Sequence, residues 1–110
     1  MSKASRRGRR NRQRGAELQR QIVRLAKSFN LDAHNRDRGG AQHEGGDLEI
    51  EEAYYGCKRK KNLATFLKPE KREIGVFIRE DRGDPMVVIN ATDFLFLLSC
   101  RKLALGGENE

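Results

Sequence analysis

The chain has 110 residues, which suits one small domain, and its 36% hydrophobic and 35% charged residues predict a modest core under an ionic surface. No stretch approaches the ~20 apolar residues of a membrane span, and we expect no membrane contact. The formal net charge of +7 favours a polyanionic partner, nucleic acid above all, over a merely soluble basic surface.

The two cysteines, Cys57 and Cys100, are too few for a disulfide framework and lack neighbours at metal-ligand spacing. We expect both to be reduced, buried, small apolar residues. The basic N-terminus lacks the apolar segment of a signal peptide, so the sequence predicts a cytoplasmic protein, or one that works wherever its host's DNA is.

Residues 1–13 form a basic arm without recurring apolar positions, which predicts disorder in isolation and phosphate contact when bound. A solubilising tail is the alternative. Its cations are Lys3, Arg6, Arg7, Arg9, Arg10 and Arg12. Residues 14–105 are predicted to form a single domain, and residues 106–110 a tail.

From Arg14 to Phe29 the apolar residues recur at helical spacing, which predicts an amphipathic helix of about four turns. The stripe comprises Leu18, Ile22, Leu25 and Phe29. Glu17 lies beside this stripe near the helix start. It either favours the positive end of the helix or faces a functional site.

Residues 31–36 alternate weakly and predict a short first strand, followed by a glycine-rich loop over residues 37–46. We expect this flexible, polar loop to face DNA. His43 within it is a candidate proton shuttle, although an exposed loop histidine usually has no catalytic role.

Residues 47–52 and 53–58 predict two strands of an antiparallel hairpin, with Tyr55 and Cys57 facing inward. A turn centred on Glu52-Ala53 would pair Asp47 with Lys58 and Glu49 with Gly56. Because Glu-Ala is a poor two-residue turn sequence, that register is a working assumption.

The remaining elements are a short helix over residues 62–67, with Leu63 and Phe66 inward, a central strand over residues 73–79 and a return strand over residues 85–89. A last helix, capped by Asn90 or Thr92, continues through Leu103. Since this helix is apolar on more than one side, we expect it to form core and dimer interface.

An acid and a lysine on neighbouring strand ends are the minimum skeleton of a metal-dependent phosphodiesterase. Mg²⁺ held by one or two carboxylates activates water and offsets charge on the phosphate, and a lysine orients or deprotonates that water. Asp47 and Lys58 are the candidates for this pair.

The ordered set of a helix carrying Glu17, then Gly46-Asp47, Cys57-Lys58-Arg59, Val76 to Arg82 and a C-terminal Phe94-Leu95 helix resembles the small PD-(D/E)xK nucleases. Within that superfamily the chain is most similar to Holliday junction resolvases of archaeal and phage type, over about residues 14 to 100.

The resemblance implies an α/β fold, a restriction-endonuclease-like mixed central β-sheet flanked by helices (α-β-β-β-α-β), working as a homodimer on four-way or other branched DNA with Mg²⁺ (Mn²⁺ as a substitute). Asp47 would bind the metal, Lys58 would be the motif lysine and Glu17 the acid of the first helix. It places the protein in a bacterial, archaeal or phage-infected cell. The candidate DNA-binding residues are Arg6, Arg7, Arg9, Arg10, Arg36, Arg38, Arg59, Lys60 and Lys61.

The sequence departs from the family at Gly56, where the family has a glutamate two residues before the lysine. Three explanations compete. Glu49 supplies the missing carboxylate to the metal, the chain is an inactivated form of a toxic nuclease, or it is a natural pseudo-nuclease that only binds DNA. A close-packing glycine is the structural alternative at this position.

Two classes of function therefore stand side by side: a Mg²⁺-dependent, structure-selective DNA endonuclease and a non-catalytic nucleic-acid-binding pseudo-nuclease. An RNA-binding module of ribosomal type is a weaker third choice, because it explains the basic arm but not the strand acid beside Lys58.

Overall fold

The computed structural model describes residues 3–36 and 47–107, with side chains described for residues 15–36 and 47–106. The elements follow in the order α1 (Lys3–Ser28), β1 (Ala33–Asn35), β2 (Leu48–Ile50), β3 (Ala53–Tyr55), a 3₁₀ turn (Thr65–Leu67), β4 (Gly75–Ile78), β5 (Met86–Ile89) and α2 (Ala91–Gly107). The structure is therefore mixed α/β, with two helices and two small antiparallel sheets. The order of elements along the chain agrees with the sequence prediction.

The chain divides into two compact units, Met1–Arg59 and Lys60–Glu110. The described strands form a three-stranded sheet in the first unit and a two-stranded sheet in the second, not a single mixed sheet. The restriction-endonuclease-like arrangement and the single domain over residues 14–105 stay predictions.

The first unit has its core between α1 and one face of the sheet β1-β2-β3. Strand β2 lies in the centre, and α1 packs against β1 and β2. The buried residues of this core are Val23 and Ala26 from the helix, with Leu31, Ala33, Leu48 and Ile50 from the sheet side. Alternation along β2 leaves Glu49 on the opposite face of the sheet.

Helix α1 begins at Lys3, before the predicted start at Arg14, since arginine and glutamine favour the helix and no proline interrupts the segment. It ends where Asn30 adopts a left-handed φ of 60°. The amide of Asn30 donates to the Lys27 carbonyl and that of Leu31 to the Ala26 carbonyl, which is the Schellman pattern. The buried Leu31 then leads the chain into β1.

The β2–β3 turn is formed by Glu51 and Glu52, both at positive φ (50° and 70°), and not by Glu52-Ala53. This mirror-image turn matches the twist of paired strands, but it normally takes Asn or Gly. The Glu51 carboxylate accepts a hydrogen bond of 2.8 Å from the Asp32 amide, and the Glu51 amide donates to the Asp32 carbonyl at 2.9 Å. These two bonds to the start of β1 offset the cost of the unfavourable turn sequence.

The second unit contains the β4–β5 hairpin and α2. The prediction that β4 would be a central strand is wrong among the described strands, because β4 pairs with β5 alone. Leu63 and Phe66, predicted to face inward, are exposed. In this unit Leu95 is the one large apolar side chain of the described residues that is fully buried.

Among the described residues, no helix is both long enough and apolar enough to cross a bilayer.

Candidate functional site

Asp47 lies where the three strands of the first sheet come together, immediately before β2. Its amide donates to the Tyr55 carbonyl at 2.8 Å, and its carbonyl accepts from the Arg36 amide at 3.0 Å. Its side-chain Oδ2 accepts a hydrogen bond of 2.8 Å from the amide of Cys57. Asp47 is thus held at both neighbouring strands, and one carboxylate oxygen is already bonded to the backbone.

The register of the hairpin differs from the working assumption by two residues. Glu49 is paired with Tyr54, and Leu48 with Tyr55. Continued by one residue, this register places Asp47 beside Gly56, so the predicted pairs Asp47–Lys58 and Glu49–Gly56 are wrong. The cause is the turn, which closes one residue earlier than expected.

Position 56, which carries the motif acid in the nucleases that the sequence resembles, is open. A Cβ built on Gly56 would have no heavy atom within 4 Å beyond its chain neighbours. The close-packing explanation for this glycine is therefore wrong. The Cβ of a larger residue would fit here, next to Asp47.

Glu49, the proposed substitute acid, points to a different partner. Its Oε2 lies 3.3 Å from His34 Nε2 on β1, its cross-strand neighbour. His34, Glu49 and Tyr54 form one row across the outer face of the sheet, and the Arg36 guanidinium stacks 4.0 Å from the centroid of the Tyr54 ring. Neither His34 nor Tyr54 was among the site residues predicted from the sequence. Pairing the outward positions of β1 with those of β2 would have found them.

Glu17 on α1 forms an ion pair with Arg59, which lies 42 positions further along the chain. Both side chains are largely exposed, at 62% for Glu17 and 44% for Arg59. An open groove beside this pair, here called the Arg59 groove, is lined by Glu17, Leu18, Gln21, Arg24 and Arg59. The prediction did not include Gln21 or Arg24 in the site, although their helical spacing from Glu17 places them on one face of α1.

The three candidate carboxylates therefore each have a separate partner: Asp47 a backbone amide, Glu49 a histidine and Glu17 an arginine. Among the described residues, no three His, Cys, Asp or Glu side chains converge as a metal site. Proteins usually bind Mg²⁺ through one or two carboxylates, and waters and substrate phosphates complete its near-octahedral shell. Asp47 offers one unbonded oxygen, and the described residues place no second carboxylate beside it, so the described donor set does not fit a tightly held metal ion.

Asp47 also influences the pKa of the neighbouring Cys57 thiol. Partial burial, and secondly the neighbouring negative charge of Asp47, raise the pKa of the Cys57 thiol above its ordinary value of 9.0. Cys57 and Cys100 are both free, as predicted. The prediction that both are buried is wrong: Cys57 is half-buried and Cys100 is exposed.

Lys58 and Arg59 are exposed directly after Cys57, and Arg36 is half-buried on the sheet. Lys60 and Lys61 are exposed and begin the second unit. His43, Arg38 and the side chains of Arg6, Arg7, Arg9 and Arg10 lie outside the described residues. Their predicted roles stay predictions.

Comparison of the chain with protein-family models, with curated proteins and with solved structures found no match.

Proposed function

We propose that this chain is a DNA-binding protein built on the site of a PD-(D/E)xK nuclease, directed to four-way or other branched DNA, whose Mg²⁺-dependent cleavage is disabled by Gly56. The supporting observation is the pairing of Asp47 with an open position 56 at the ends of β2 and β3. The ordered motif residues and the net charge of +7 support the same class of protein.

The geometry favours a disabled nuclease over one in which Glu49 replaces the missing acid. Glu49 is paired with Tyr54, two pairs along the hairpin from Gly56, and its carboxylate lies 3.3 Å from His34. Its displacement toward Asp47 would break that contact. Asp47 alone would hold Mg²⁺ weakly, since the second protein carboxylate is missing.

Contact with phosphates would come from the exposed cations that follow β3 and from the basic segment of α1. Lys58 and Arg59 are adjacent to Asp47's partner Cys57, so a DNA strand bound by them would pass the candidate site. Binding of this kind reads the backbone and the shape of the DNA more than its base sequence.

The deciding experiment compares this protein with Gly56→Glu and Gly56→Gln on a labelled four-way junction with Mg²⁺. Glutamine matches glutamate in length and lacks its charge. We expect all three proteins to bind the junction and only Gly56→Glu to cut it, at paired, symmetric positions. Cleavage by the unchanged protein would mean that another acid serves the metal. Binding without cleavage by any of the three would leave the non-catalytic module as the function.

A homodimer is part of the same proposal, because two symmetry-related sites suit a junction with two symmetric strands. Among the described residues, the exposed large apolar side chains lie in the second unit, with the exception of Tyr54. They include Phe77 at 84% and Leu103 at 77% exposure. A second copy that covered such residues would enlarge the core of this unit, in which Leu95 is the one fully buried large apolar side chain among the described residues.

A further inference from the structure

The Arg59 groove contains two guanidinium groups and one carboxylate in an open position on the first unit. Arg24 and Arg59 line it together with Glu17 and Gln21. Glu17 is bonded to Arg59, while no hydrogen bond or ion pair of Arg24 is found among the residues that the structure describes. The groove therefore holds one cation that is neutralised and one that is available.

We propose that the Arg59 groove is a phosphodiester-binding site in which Glu17 occupies the place of the phosphate until nucleic acid arrives. Binding would exchange the Glu17 carboxylate on Arg59 for a phosphate oxygen, with Arg24 as a second cation and the Gln21 amide as a neutral donor. The inference rests on the proposed function only in taking nucleic acid as the source of the phosphodiester.

The energetics suit an exchange, since an ion pair between exposed side chains is weak. Both partners are accessible to solvent, so water and salt screen the attraction between them. A guanidinium binds carboxylate and phosphate by the same forked hydrogen-bond geometry, so one can replace the other without rearrangement of the backbone.

The exchange has a consequence for Glu17 itself. In the free protein its charge is neutralised by Arg59, and when Arg59 binds phosphate the carboxylate is released beside the bound strand. The acid that the resemblance assigns to the site would then become available only on the complex with DNA. In the free protein the pair also ties the chain after β3 to α1.

The test measures binding of a labelled DNA duplex and a labelled four-way junction by fluorescence anisotropy, in EDTA and at several salt concentrations. The proteins are the unchanged chain, Glu17→Gln, Arg59→Gln, the double variant of these two, and Arg24→Gln. Glu52→Gln is the matched control, because it removes the same charge from an exposed position on the β2–β3 turn.

Relative to this control, Glu17→Gln should tighten binding roughly two- to fivefold, the range expected for removing an exposed ion pair that must otherwise be broken. The gain should disappear in the Arg59→Gln background. Arg59→Gln and Arg24→Gln should each reduce the slope of log affinity against log salt by about one. An equal gain with and without Arg59 would mean general repulsion by Glu17 and would overturn the exchange, as would no gain at all.

NMR of the unchanged protein tests the exchange without depending on how well a variant folds. The NMR signal of the Arg59 Nε–H group should shift when the unchanged protein is saturated with duplex DNA. In free Glu17→Gln, the chemical shift of this group should already differ from that of the free unchanged protein, because the ion pair is absent. An unmoved Arg59 resonance at saturation would overturn the exchange. If the unchanged protein binds no DNA at all, the proposed function is refuted instead. Both the anisotropy and the NMR measurement are made without divalent cations, so a lack of cleavage affects neither of them.

Discussion

The Asp47 carboxylate and the Cys57 amide are joined by a hydrogen bond of 2.8 Å at the ends of β2 and β3. This bond fixes the chain immediately before Lys58. The residue that the family resemblance assigns to metal binding therefore also holds the hairpin together, and its substitutions act on both properties.

Replacing Asp47 with alanine leaves the amide of the half-buried Cys57 without its acceptor. We expect Asp47→Ala to lower the free energy of unfolding by roughly 1–2 kcal/mol, the usual cost of an unsatisfied donor. Asp47→Asn keeps an oxygen acceptor and should lose less. Urea denaturation followed by circular dichroism measures both.

Junction binding separates the structural from the catalytic role of this residue. In a Gly56→Glu background, Asp47→Asn should abolish cleavage and leave junction affinity within about twofold, since under the proposed function it removes a metal ligand and no phosphate contact. If Asp47→Asn remains folded and yet loses the junction, the assignment of Asp47 to metal binding is wrong.

The hairpin shows how far the sequence predicts this site. The alternation of Leu48 and Ile50 with acids identifies β2 and its buried face, because period two is a local property. The register depends on which two residues form the turn, and neither Glu-Glu nor Glu-Ala is a favourable turn sequence. What selects Glu51-Glu52 is the pair of hydrogen bonds with Asp32, a residue 19 positions earlier in the chain, which no local pattern reveals.

The partners of the acids were unpredictable for the same reason. Glu17 was equally compatible with a helix-terminal role and with a site, and its contact with Arg59 depends on how the chain after β3 returns to α1. His34 could be found only once the β1–β2 register was known.

The turn itself gives a prediction about stability. Glu52 has a φ of 70°, which costs roughly 1–2 kcal/mol for a residue with a side chain, so Glu52→Gly should stabilise the protein by about 0.5–1 kcal/mol after the greater entropy of the unfolded glycine is counted. Thermal and urea unfolding measure the change.

Glu51→Ala is the matched comparison on the same turn. It removes the acceptor for the Asp32 amide and should lower the free energy of unfolding by about 1 kcal/mol. Equal effects of the two substitutions would show that the turn is not formed by these two residues.

The start of α1 is testable at Gly15. In a helix that begins at Lys3 this glycine is internal, and a Cβ there meets no heavy atom within 4 Å. Gly15→Ala should then stabilise the protein by roughly 1 kcal/mol and increase helical circular dichroism. A helix beginning at Arg14 would place Gly15 in the first turn, where the gain is small. Gly106→Ala, equally open but near the end of α2, is the control and should change stability less.

The Cys57 thiol makes stability depend on pH in the alkaline range. Its pKa is raised in the folded protein, chiefly by burial and then by Asp47, so the folded state retains this proton more tightly than the unfolded state. The stabilisation is fully present below the ordinary pKa of 9.0 and is lost as the pH rises through the higher folded value. Cys57→Ala should therefore lose less stability than the unchanged protein between pH 8 and pH 10. Urea denaturation at both pH values provides the measurement, and an identical loss would contradict it.

The exposed stripe of α2 predicts how two copies associate. Phe96, Cys100 and Leu103 follow at helical spacing and are all exposed. If this stripe is the dimer contact, sedimentation should give twice the chain mass of 12.6 kDa, and Leu103→Glu should give the monomer mass, because it places a charge in an apolar interface.

Leu105→Glu makes the same change at an exposed position on the opposite side of α2 from the stripe, and should leave the dimer intact. Cys100 provides a second readout, since association would slow its reaction with a thiol reagent as protein concentration rises. A monomer at every concentration, or equal disruption by both glutamates, would remove this stripe as the interface. The junction would then be bound by a monomer or through another surface.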